Sequence, residues 1–316
     1  MMPRRAMRFA LACCVAGFAP ISLATAQQVH VLIVNGLAGE PKYRAAFDSV
    51  ATQLADSAQR RWNVADSSLI VLTEDAPRGA ASYLRGKSTR AEVALAFTTL
   101  SHRVAAGDVL LVFLNGHGAG ERATSRVGLP GPDATAADFA TWLTGFARQR
   151  VVFVNAASGS GDFGAVLAGR GRVIVTATKS SFERNESIFA KPFVLGLTGN
   201  EADADKDGRV SVLEAFSYAT KEVARHYESN GRLQTEHAAL SDSSLARTIA
   251  FGGPRGSTDP KVVALVAERQ DLEGQVAALR ARKSAMDSTA YSAELERLLL
   301  EIARRSQSIR AAGGRP

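Results

Sequence analysis

The sequence predicts an α/β fold: a mostly parallel sheet flanked by helices, followed by a C-terminal α-helical hairpin. Three observations predict it. Five short apolar runs rich in β-branched residues recur over the first 176 residues, and stretches with helical spacing alternate with them. Beyond a break carrying glycine and proline at 252–258, apolar residues recur every seven positions. Continuous apolar strands belong to parallel βαβ units covered on both faces, and a seven-residue repeat belongs to paired helices.

Taken in order, residues 29–35 (VHVLIVN) read as a buried strand ending at Gly36. Residues 43–61 place Tyr43, Phe47, Val50 and Leu54 on one helical face. A strand at 69–72 and a helix at 90–104 follow, then a third buried strand at 109–114 (VLLVFL). A helix at 138–147 leads to strands at 151–154 and 173–176. In the C-terminal part, Leu265, Leu272, Leu279 and Met286 stand seven residues apart within 262–286. A second helix at 292–309 carries Leu295, Leu298, Leu299, Ile302 and Ile309, with Asp287-Ser288-Thr289 as turn and N-cap between the two. The resulting divisions are 1–26, a signal peptide; 27–251, the α/β domain; 252–258, a linker; and 259–316, the hairpin or coiled coil.

Composition narrows the function. With 46% hydrophobic and 22% charged residues the chain is built for a core, not for disorder. Its net charge of +7 includes Arg4, Arg5 and Arg8. These precede an apolar run at 9–24 and the small-x-small triplet Ala24-Thr25-Ala26, the pattern of an exported protein cleaved after Ala26. The run is broken by Gly17 and Pro20 and is short for a membrane span, which takes about 20 residues. A periplasmic or secreted protein without a stable membrane span is expected. Removing the segment leaves 35 Lys and Arg against 31 Asp and Glu, too mild a balance and too scattered for a nucleic-acid surface. The two cysteines, Cys13 and Cys14, leave with it, so the remainder has no disulfide, thiolate metal site or cysteine nucleophile.

Parallel sheets place their sites beyond the carboxyl ends of the strands, which directs attention to three loops. The first spans 36–44. The second, Asn115-Gly116-His117-Gly118-Ala119-Gly120, holds a histidine between glycines, suited to a general base beside a close backbone approach. The third, Asn155-Ala156-Ala157-Ser158-Gly159-Ser160-Gly161, offers Ser158 at a tight turn. The glycine spacing at 116, 118 and 120 departs from a dinucleotide loop, and no G-x-S-x-G elbow is present. Glu183 and Glu186 follow the last strand and are candidates for the cleft border, while His237 reads as a surface histidine.

These loops resemble the caspase-clan cysteine peptidases, the legumain family in particular. A strand ending in H-G is followed by one ending in A-C-x-S-G, and Ala157-Ser158-Gly159-Ser160-Gly161 fits the second with serine at the cysteine position. Gly36, Gly39 and Tyr43-Arg44 fall at the spacing of the legumain-like G-S-N-G-x-x-x-Y-R segment, with Ala38 where the asparagine stands. The resemblance covers residues 29–250 and implies a caspase/legumain-like sheet. It implies His117 as general base, the Gly118 N–H as oxyanion donor, Arg44 as substrate-binding residue and Ser158 at the nucleophile position. A hydroxyl lacks the partial ionisation and nucleophilicity of a thiol, so an inactive pseudopeptidase binding a peptide or protein in its cleft is expected. A slow or re-tuned hydrolase using Ser158 and His117 is the alternative, and a third reading makes the hairpin the working surface.

A separate motif spans 203–214. Asp203, Asp205, Asp207 and Glu214 occupy positions 1, 3, 5 and 12 of an EF-hand loop. Gly208 stands at the turn, the Arg209 carbonyl at 7 and Ser211 at 9. Helical patterns at 188–197 and 212–227 flank it. One Ca²⁺ with an affinity on the order of 10⁻⁴ M or somewhat tighter is expected, in a structural role. A helical partner or self-association through 259–316 completes the expected partners.

Overall fold

The computed structural model describes residues 27–75, 82–205, 207–252 and 259–313. The predicted signal peptide, most of the linker and Lys206 lie outside the described residues. In chain order the elements are β1 (Val29–Asn35), α1 (Pro41–Arg60), β2 (Leu69–Thr73), β3 (Leu84–Lys87), α2 (Arg90–Ser101) and β4 (Val109–Asn115). Three two-residue strands follow, β5 (Gly118–Ala119), β6 (Arg126–Val127) and β7 (Ala134–Thr135). Then come α3 (Ala136–Trp142), β8 (Arg150–Asn155), α4 (Asp162–Leu167), β9 (Arg172–Thr176), α5 (Ala190–Thr198) and α6 (Val212–Ser229). The chain continues through β10 (Ala239–Leu240), α7 (Ser243–Thr248), α8 (Pro260–Ala281) and α9 (Ser288–Ala311).

β-Branched and leucine runs that bury both faces assemble into one sheet of order β10-β9-β8-β4-β1-β2-β3. Every pairing is parallel except that of β10 with β9. Alternation along β1 divides the core: Val31 and Ile33 join the cluster beneath α1, α5 and α6, whereas Leu32 and Val34 join the one beneath α2, α3 and α4. The sheet is thus the predicted mostly parallel α/β layer with helices on both faces. Chain direction reverses at β1, since β2 and β3 extend to one side and β4, β8 and β9 to the other. Such a switch point opens a crevice at the carboxyl ends of β1 and β4.

The predicted elements are present with ends shifted by a few residues. Five further features carry little apolar signal: the exposed edge strand β3, the small antiparallel sheet β5-β6-β7, the two-residue β10, and the short helices α4 and α7. The last two helices form the predicted hairpin. Leu265, Leu272, Leu279 and Met286 all lie in its seam, packed with Val276, Leu298, Ile302 and Ile309. The Asp287 carboxylate caps α9 by accepting from the Thr289 and Ala290 N–H groups. Among the described residues, no helix is long and apolar enough to cross a membrane.

Candidate functional site

The parallel ladder carries three asparagines to the carboxyl edge of the sheet. Asn35 pairs with Asn115 across β1 and β4, and Asn155 ends β8 beside them. All three are buried. The backbone continues the ladder one step further, with the Gly36 N–H donating to the Asn115 carbonyl at 2.7 Å and the Ala156 N–H to the Leu114 carbonyl at 2.8 Å. His117 and Ser158 therefore emerge side by side from adjacent strands.

The contact between their loops runs through the Gly118 backbone. The Gly118 N–H donates to the Ser158 Oγ at 3.4 Å, and any Cβ at residue 118 would collide with the Ser158 carbonyl oxygen. Only glycine permits this approach. Ser158 is 5% exposed. The turn behind it is held from a third loop, where the Glu183 carbonyl accepts the Gly159 N–H at 2.8 Å. The Glu183 carboxylate accepts the Lys179 N–H at 3.1 Å and meets His237 Nδ1 at 2.7 Å. His237, read as a surface residue, thus braces the turn through Glu183.

The His117 imidazole is engaged elsewhere. Its Nε2 lies 3.3 Å from the Ala38 carbonyl, and its ring packs edge-on against Tyr43 at 4.9 Å and tilted against Phe47 at 5.5 Å. Among the described residues its hydrogen-bond partner is this carbonyl, not the Ser158 hydroxyl. A cleft of about 560 Å³ opens beside the imidazole, lined by Tyr43, Phe47, Asn115, Glu186, Ile188 and Leu195 among others. The Tyr43 hydroxyl donates to Glu186 at 3.2 Å across its mouth. Arg44, one residue on, pairs with Glu74 at 2.8 Å and with Asp75, and Glu74 also accepts the Ala38 N–H at 3.1 Å. The residue suggested to meet substrate therefore already has two carboxylate partners. Glu74 and Asp75, which follow β2, carry no motif that singles them out.

The 203–214 loop runs into the start of α6, with Ser211 as its N-cap. Gly208 adopts φ +83°, the left-handed turn the sixth position requires. Asp203 accepts the Asp207 N–H at 3.1 Å and the Gly208 N–H at 3.0 Å. Carboxylate oxygens of Asp203, Asp205 and Glu214 gather within 4.8 Å of one another. Glu214 also closes a capping box with Ser211 at the start of α6, accepting the Ser211 N–H and Oγ–H at 2.8 Å each. Burial, then the Asp205 charge, pushes the Asp207 carboxyl up to about 6, and burial with the Glu214 charge raises Asp205. Carboxylates that repel one another in a partly desolvated loop are a donor set relieved by a hard cation.

No protein-family model and no curated protein matches the chain. Among solved structures, the chain is similar to the Geobacter sulfurreducens protein GSU0716, at 13% identity and TM-score 0.44, over 75% of this chain and 96% of that one. It is also similar to drICE, at 10% identity and TM-score 0.39, over 70% and 90% of the two chains. A third is a secreted C11 cysteine protease from Bacteroides thetaiotaomicron, with 12% identity, TM-score 0.38 and coverage of 77% and 70%.

Proposed function

We propose that this chain is an exported, calcium-binding relative of the legumain and caspase peptidases that binds a peptide or protein segment at the strand ends without cleaving it. The observation that carries the reading is the pairing of the Ser158 hydroxyl with the Gly118 N–H while the His117 imidazole is bonded to the Ala38 carbonyl. A serine hydroxyl attacks a carbonyl only with an adjacent base to take its proton, and here the Ser158 Oγ is bonded to the Gly118 N–H and not to the imidazole, whose Nε2–H donates to the Ala38 carbonyl. The Gly118 N–H, a donor suited to a developing oxyanion, is turned to the hydroxyl instead.

In this reading Ca²⁺ is held by Asp203, Asp205, Asp207 and Glu214, with the Arg209 carbonyl and Ser211 completing the set. The bound ion would supply two positive charges that offset the mutual repulsion of the four carboxylates. Because Glu214 and Ser211 open α6, the ion ties the loop to that helix, which borders the cleft through Tyr218 and Glu222.

The test is a peptide-library screen of the purified protein with and without calcium. No cleavage is expected, and Ser158→Ala leaves peptide capture intact. Cleavage that Ser158→Ala abolishes overturns the reading in favour of a slow hydrolase. Asp203→Ala and Glu214→Gln are expected to lower calcium affinity and the melting temperature in calcium; if neither moves, the ion assignment is wrong.

A further inference from the structure

The hairpin and the 203–214 loop meet at a buried charge pair. Arg269, on α8, donates through Nη2 to Asp207 Oδ2 at 2.8 Å, with its side chain 8% exposed. The other Asp207 oxygen accepts the Arg209 N–H at 2.7 Å. Both oxygens of the fifth-position carboxylate are therefore committed, while Asp203, Asp205 and Glu214 form the close-set group. Arg269 also has Glu273 one helical turn along, 3.3 Å from its Nε and 42% exposed.

The hairpin is otherwise self-sufficient. Its two apolar clusters contain hairpin residues alone, and the two clusters of the α/β body contain none of them. A cleft of about 1160 Å³ separates the two parts, with Lys221, Arg225 and Arg247 on the body side and Gln270 and Arg280 on the hairpin side. Helix α8 also meets α7 of the body, but with no apolar cluster shared between the two parts the buried ion pair is a polar anchor of the docked hairpin.

We propose that Arg269 and Asp207 form a latch in which calcium capture by the loop and docking of the hairpin compete. The inference rests on the calcium reading above. A calcium ion in a loop of this type takes the fifth-position carboxylate as a ligand. Arg269 then keeps only Glu273, whose side chain is 42% exposed, and a buried guanidinium that loses its closer, buried carboxylate is disfavoured where it sits. It leaves with Glu273, which belongs to the same helix and gives it a partner in solvent. By reciprocity, the docked hairpin weakens calcium binding by the factor with which calcium weakens docking.

The experiment uses the full mature chain, free of native cysteine, with spin labels on Ala224→Cys in α6 and Ser292→Cys in α9. Inter-label distances and calcium affinity are measured for this protein and for the same protein carrying Arg269→Gln. Calcium is expected to lengthen and broaden the distance distribution. Arg269→Gln is expected to do so without calcium and to tighten calcium binding about tenfold, within the usual span of such couplings. Calcium binding by both proteins with equal affinity and unchanged distances overturns the latch alone. If neither protein binds calcium, the ion assignment falls and the latch with it. Because the first protein's calcium response stands by itself, a poorly folding Arg269→Gln variant leaves a decisive measurement.

Discussion

His30, the second residue of β1, is 2% exposed, and neither ring nitrogen has a well-formed hydrogen bond. Asp108 lies 3.4 Å away, but burial outweighs that carboxylate and, with Arg103 nearby, holds the imidazole pKa below its ordinary value. Above about pH 6.5, the unfolded value, the ring is neutral in both states and the fold keeps its full stability. As pH falls from there through the lower folded value, the unfolded chain takes up the proton more readily and stability is lost. His30→Gln is therefore expected to flatten the decline in urea midpoint between pH 7 and pH 5; an unchanged decline would assign it to other groups. At this scale the sequence was informative where chemistry is tied to strand ends. His117, Gly118 and Ser158 converge because adjacent parallel strands end together. The Ala38 carbonyl facing His117 left no trace, because a backbone acceptor has no residue type. Glu74 and Asp75 beside Arg44 were equally hidden, since their role comes from a β2 loop whose composition is ordinary.

The helices and strands that follow apolar periodicity were legible almost to their ends, and the hairpin most of all. Leu298 is 1% exposed against Val276 and Leu279, so Leu298→Ala is expected to remove about 2–5 kcal/mol from the hairpin. Hydrogen exchange should then accelerate along α8 and α9 and remain slow in β1, β4 and β8. Acceleration throughout would show that the two parts unfold as one. Strand β3 shows why the remainder was not legible. Its residues, Leu-Arg-Gly-Lys, have no alternation, and three of the four are exposed. Its place comes from the ladder to β2, where Ile70 to Thr73 pair with Leu84 to Lys87. A backbone template of this kind is supplied by the neighbouring strand, not by the side chains of the segment it recruits.

At the scale of the whole molecule, stability comes from two core layers on one sheet. Both cysteines lie within the first 26 residues, so no disulfide forms within residues 27–316. The acidic loop at 203–214 and the hairpin each have a sequence pattern of their own, one over twelve consecutive positions and the other a heptad. Their meeting through Arg269 has none, because it joins positions 62 residues apart across a linker. A last consequence concerns β3 once more. Among the described residues no strand pairs beyond it, so its outer N–H and C=O groups are a template for another copy of the chain. Arg85 and Lys87 stand exposed on that border, where like charges push an incoming copy away before it can add a rung. Replacing both with threonine is expected to shorten the lag before light scattering rises at low salt; an unaltered lag would show that something else keeps the border from seeding fibres.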